Sequence, residues 1–246
     1  MKTYLIFIFT LVSSFSTIAA NQNTNQTDCL FGNCVDGYGS KDYDDGNYEG
    51  FFEKGKRTGP GTMQYNSGMT YVGEWKNDKV EGFGFFSNPE GNPVTIIGYF
   101  NDGKLIGTGM KLMNDNTIAA GIYENDILNE MYDFDFNGVE IGCTFGDCFE
   151  YYGRFIWETG DQFNGFFINS NMNFGTYIFA DGGTYIGSFD SEAFLSKVGI
   201  YVYPNGDFYF GNWSKGEFNG LGVYSYAEDG KYSAGTWKKS KFVKAY

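Results

Sequence analysis

The chain has 246 residues, among them 36 glycines, 26 phenylalanines and 20 tyrosines, with 17 Lys and Arg against 30 Asp and Glu and no histidine. Without histidine the usual general base and zinc ligand are missing, and a Ser-His-Asp or Cys-His arrangement is excluded. A formal net charge of −13 repels nucleic acid and anionic lipid overall.

Residues 1–20 have Lys2, an apolar run from Tyr4 to Val12, then Ser13 and Ser14, and end in Thr-Ile-Ala-Ala. This layout matches a secretory signal peptide, and the run is too short to span a bilayer. The expected location is therefore outside the cell or in the secretory lumen, or the periplasm in a bacterium. Four cysteines in an exported chain point to disulfides rather than a thiolate metal site. Residues 21–28 are polar and aperiodic, and read as a disordered leader. Asn25 opens a glycosylation sequon there, and Asn212 opens another further on.

From Cys29 onward one pattern returns. In the stretch Tyr209–Gly222 it reads Tyr-x-Gly-x-Trp-x-x-Gly-x-x-x-Gly-x-Gly. Units begin at Tyr48, Tyr71, Ile96 and Ala119, and again at Phe163, Tyr185, Tyr209 and, cut short, Ser233, in steps of 22 to 25 residues. A fixed period of this length marks a repeat array. Cys29-x4-Cys34 and Cys143-x4-Cys148 each open a half-unit, which predicts an internal duplication into sub-arrays at residues 29–140 and 141–246. The unit at Ala119 has Glu130 and Tyr132 in place of two glycines and is the expected place for a bend.

Positions 1, 3 and 5 share one strand face, which reads aromatic, glycine, aromatic. Positions 12 and 14 return two glycines opposite it, so rings can lie over backbone that lacks Cβ. Links such as Tyr65-Asn-Ser-Gly68 and Tyr203-Pro-Asn-Gly206 predict tight turns with φ > 0 at glycine. Glycine at these intervals disfavours helix throughout. The prediction is an all-β chain, one elongated antiparallel sheet of stacked hairpins with about 17 strands. The lysines after Trp237 are expected to guard an edge strand, or else to touch an anionic membrane.

These residues resemble the MORN repeat, strongly at Tyr48, Tyr71 and Tyr209, and across nearly all of Cys29–Trp237. The resemblance implies a β-hairpin sheet that serves as a scaffold, a dimerisation platform or an accessory module, with a lipid-binding role that the acidic charge here opposes. The leading expectation is a secreted or lumenal, non-enzymatic interaction scaffold without cofactor. Its partner would be a protein or a second copy. The alternative is a calcium- or glycan-binding module on the same array.

Particular sites sharpen these alternatives. Asp133, Asp135, Asn137 and Glu140 resemble half of a calcium loop, beside the reading of a strand entering an Asn-Gly turn. Gly50–Lys56 fits the opening of a phosphate-binding loop, but both glycines are also repeat positions. Acidic residues allow many carboxylate pairs for glycoside hydrolysis, yet nearly all occupy variable repeat positions. Phe51, Phe86, Tyr99, Phe166 and Phe210 fall out of phase with positions 1 and 5; on a single-layer sheet they would be exposed contact aromatics. Of the three cysteine connectivities, spacing favours Cys29–Cys34 and Cys143–Cys148, because a straight sheet would separate the two pairs by about 48 Å.

Overall fold

The computed structural model describes residues 29–115, 117–132 and 138–246. The segment read as a signal peptide, the expected leader with Asn25, and Asp133, Asp135 and Asn137 lie outside the described residues. The described chain is all β, without a helix and hence without one long and apolar enough to cross a membrane.

Ten strands come first: β1 (Cys29–Gly32), β2 (Gly37–Tyr43), β3 (Gly46–Glu53), β4 (Lys56–Tyr65), β5 (Thr70–Lys76), β6 (Lys79–Ser87), β7 (Thr95–Asn101), β8 (Lys104–Leu112), β9 (Ile118–Glu124) and β10 (Ile127–Met131). Ten follow: β11 (Gly142–Gly146), β12 (Tyr152–Ile156), β13 (Gln162–Ile168), β14 (Asn171–Ile178), β15 (Thr184–Phe189), β16 (Leu195–Val202), β17 (Phe208–Ser214), β18 (Glu217–Ser225), β19 (Tyr232–Lys238) and β20 (Lys241–Ala245). Each set forms a sheet in strict chain order. Position 1 of each unit lies near the start of an odd strand, and the even strand after it returns antiparallel.

Turn chemistry follows the repeat. Positions 7 and 8 form two-residue hairpin turns with both φ positive, as at Lys54-Gly55 (52° and 75°) and Asn77-Asp78 (52° and 69°). Such turns match the twist of paired strands. The longer links close as expected: Gly68, Gly182 and Gly206 have φ of 84°, 94° and 89°, and each amide donates to the carbonyl of the aromatic three residues earlier.

The single long sheet is corrected to two sheets of ten strands. They pack face to face in opposite order, with β2 against β19, β4 against β17 and β18, β5 against β16, and β6 against β15 and β16. The cause lies in the second face of each strand. Val72, Phe83, Phe85, Ile97 and Met110 alternate with the repeat rings, and so do Phe166, Phe174, Ile186, Val198 and Ile200. A lone sheet would leave that face in water. Folding back buries it as one shared core, at about 2 to 3 kcal/mol for each large side chain covered. Polar side chains cross the same boundary: Tyr99 Oη and Ser188 Oγ lie 2.8 Å apart, and Lys197 Nζ donates to Tyr99 Oη at 3.1 Å.

Candidate functional site on the ring face and sheet edges

The outer face of each sheet is built from the repeat itself. Tyr48, Tyr71, Tyr185 and Tyr209 are 0% exposed although no second layer covers them. Each ring lies over a cross-strand glycine pair: Gly50 with Gly61, Gly73 with Gly84, Gly187 with Gly199, and Gly211 with Gly222. A Cβ on Gly61 would stand 2.2 Å from the Tyr48 hydroxyl oxygen. Each hydroxyl donates to the carbonyl three residues ahead, at 3.0 to 3.1 Å. Trp75, Trp213 and Trp237 cover the rings edge-on, and their Nε1 donates to Gly61, Gly199 and Gly222 carbonyls.

The two returning glycines differ in role, where the sequence pattern treats them alike. Position 14 sits under the ring. Position 12, at Gly59, Gly82 and Gly220, has φ of 61°, 68° and 120° beside a register shift, so it serves the bulge. Gly50 is therefore strand floor beneath Tyr48 and Gly55 a turn residue, so the repeat accounts for both glycines of Gly50–Lys56 without a phosphate loop.

Three of the five contact aromatics are corrected. Phe51, Phe166 and Phe210 are 1%, 2% and 5% exposed, because the out-of-phase face is where the two sheets meet. Tyr99 is half-buried against that core, and Phe86 is half-buried on the ring face against Tyr71 and Phe100. Near the β3 and β4 end, a cavity of about 90 Å³ remains between the sheets, lined in part by Glu49, Thr62, Phe210 and Val223. Tyr38 Oη donates to Glu49 Oε1 at 2.5 Å. Burial pushes the Glu49 carboxyl up to about 7, against which the Tyr38 hydrogen bond works.

The disulfides Cys29–Cys34 and Cys143–Cys148 are both present, with Cα atoms 5.9 and 5.8 Å apart. In each, the first cysteine lies on the opening strand and the second in the link after it, rather than opposite one another across a hairpin. Glu140 is exposed, and among the described residues no group of three or more His, Cys, Asp or Glu is placed to hold a metal ion. Asn212 is half-buried, and its Oδ1 accepts from the Leu221 amide at 3.0 Å.

One arrangement escapes the sequence reading. On the ring face of the second sheet Trp157, Tyr177, Phe179, Tyr201, Tyr203, Tyr224 and Tyr226 form a continuous row with successive centroids 4.6 to 5.7 Å apart. All are partly exposed, Tyr226 to 42%. Carboxylates flank the row: Tyr224 Oη donates to Asp207 Oδ2 at 3.0 Å, and Asp161 and Asp181 lie beside Tyr177 and Tyr201. The Asp207 carboxyl is held below its ordinary value, chiefly by the Ala227 amide, which keeps it ionised at neutral pH. The signal was available as aromatic-x-aromatic before each turn, at 177 and 179, 201 and 203, 224 and 226. The first sheet has Met63-x-Tyr65 and Phe86-x-Asn88 at those places, and there Arg57 packs 4.3 Å from the Trp75 ring and 4.6 Å from Tyr43.

Rings laid over paired glycines, hairpin after hairpin, define a tandem β-hairpin repeat protein. The family model described as MORN repeat matches residues 48–70, 71–92, 165–184, 198–208 and 209–231, and the chain is a MORN-repeat protein. MORN repeats are interaction repeats rather than an enzyme family. The units at Ile96 and Ala119, with aliphatic first positions, fall outside the matched residues. No curated protein matches the chain.

Proposed function

We propose that the protein is a secreted or lumenal, non-enzymatic scaffold, and that the aromatic row of its second sheet is the face it offers to a protein partner. The row carries this reading. Partly exposed rings give contact area at low entropic cost, and the acidic side chains beside them favour cations, which also stack on rings. The partner implied is an extended segment bearing Lys or Arg among apolar residues. The row rises by one hairpin, about 9.6 Å, for every two strands, close to the roughly 9.3 Å turn of a polyproline II segment. Two disulfides support an oxidising compartment.

Crosslinking of the exported chain in its own compartment tests this. Asp181→Asn with Tyr203→Ser should abolish capture of a partner held by the wild type, while the melting temperature stays within a few degrees. Equal capture by wild type and variant would overturn it. A second reading, a glycan lying along the same row, is favoured by the acceptor carboxylates beside stacking rings. Retention of the wild type on neutral polysaccharide, lost in the Tyr203→Ser variant, would select it.

A further inference from the structure

The ends of the sandwich expose what its faces bury. All the exposed large apolar residues except Ile168, Phe194 and Tyr226 lie there. Ile127, Met131 and Phe149 belong to the end where β10 and β11 are edges, and Leu30, Phe242 and Val243 to the end of β1 and β20. Among the described residues β1, β10 and β20 pair on one side only, leaving a row of free backbone groups.

The duplication makes the two closing hairpins equivalent. The offset of 114 residues that relates Cys29 to Cys143 also relates Ile127, the first residue of β10, to Lys241, the first of β20. In that alignment Glu124 matches Lys238, Asn125 matches Lys239, Ile127 matches Lys241 and Glu130 matches Lys244, and all eight are exposed. One hairpin is the other with its charge inverted. Leu112–Gly153 holds nine Asp and Glu with no Lys or Arg, and Gly230–Tyr246 holds five Lys with no Asp or Glu; of these Lys231 pairs with Asp229, and the β1–β2 half of that end adds Asp36, Asp42, Asp44 and Asp45 against Lys41, so its positive charge is that of the β19–β20 hairpin alone. The cations nearest the acidic end are engaged, Lys111 on the Asp126 carbonyl and Arg154 on Thr144 Oγ1.

We propose that the partner for these ends is a second copy of this chain, the acidic β10 end of one copy taking the lysine-bearing β20 end of the next. Like ends repel and unlike ends attract, so the contact is head to tail. A heterologous contact of this kind leaves a free end at each step and builds an open chain of copies. Edge-to-edge backbone pairing and the covered apolar residues supply the adhesion, and the charges supply the choice of end. The interface is separate from the aromatic row.

Sedimentation velocity of the exported chain tests the proposal. Wild type should grow with concentration at about 0.05 M salt and return to monomer near 0.5 M, where screening is strong. Lys238→Glu, Lys239→Glu, Lys241→Glu and Lys244→Glu together make both closing hairpins acidic; Glu124→Lys and Glu130→Lys, with Glu140→Lys beside them, make both closing hairpins basic. Each variant alone should associate at least about tenfold more weakly than wild type, and an equimolar mixture of the two should recover association. Wild type that stays monomeric at low salt overturns the proposal, as does a mixture no better than its components. Monomeric wild type that instead sediments with phosphatidylserine vesicles would assign the lysines to a membrane. Capture of a partner through the aromatic row would survive either failure.

Discussion

At the residue scale the glycines carry the argument, because identical residues in one motif answer to different constraints. Gly61 has ordinary φ but no room, since its Cβ would meet the buried Tyr48 hydroxyl; Gly55 has φ of 75° and nothing within 4 Å. Gly61→Ala should therefore cost about 3 kcal/mol by displacing a ring, and Gly55→Ala about 1 to 2 kcal/mol by backbone strain. Urea melts of both variants check the order. Glu49 gives a pH signature in a chain without histidine. Its carboxyl is raised from an ordinary 4.5 to about 7 in the folded state. Between those values the folded chain holds a proton that the unfolded chain has released, so stability falls as pH rises through the window. The loss is at most about 3 kcal/mol. The Glu74 carboxyl is raised by burial in the same sense, so Glu49→Gln should flatten the curve of melting temperature between pH 5 and 8 without levelling it. An unchanged slope would show that Glu49 is solvated. None of this was legible in the sequence, where Glu49 occupies a variable repeat position and its environment is completed across the sandwich, by Tyr38 and Thr62 of its own sheet with Phe210 and Val223 of the other.

At the scale of the element the hairpin was legible and its side-chain wiring was not. Aromatic, glycine and turn positions set strand, register and reversal, because each has one backbone conformation to serve. Position 8, however, reads only as a turn residue. In the structure Asp78 also reaches the neighbouring hairpin: its Oδ1 accepts from Arg57 N at 3.0 Å and lies 3.3 Å from Arg57 Nε. Asp126 repeats the contact with the Leu105 amide at 2.9 Å. The unit-to-unit spacing brings each turn alongside the first residues of the returning strand in the hairpin before it. Glycine at position 8 lacks this contact, so Asp78→Gly keeps an easy turn and removes the link alone. We expect a loss of about 1 to 2 kcal/mol, with faster amide exchange at Arg57. Unchanged exchange at Arg57 would leave Asp78 a turn residue only.

At the scale of the molecule the sequence pointed to a bend and missed what the bend achieves. The apolar residues of the second face were plain in the chain, and reading them as contact surface assumed one layer. Two sheets of ten strands bury that face against each other, so stability is shared between the halves instead of being passed along nearest neighbours as in a one-dimensional array. Phe174 tests this. It is 0% exposed on β14, and its ring lies 5.5 Å from Phe83 and 5.6 Å from Tyr99 of the other sheet, as well as 4.6 Å from Phe166 of its own. Phe174→Ala should cost about 3 to 5 kcal/mol, combining lost burial with the cavity left behind. If the sandwich is one cooperative body, slow amide exchange should rise together in β6–β8 and in β14–β16, and melting should stay a single transition. If only β13–β15 lose protection, the sheets fold independently and their shared core is weaker than its burial implies.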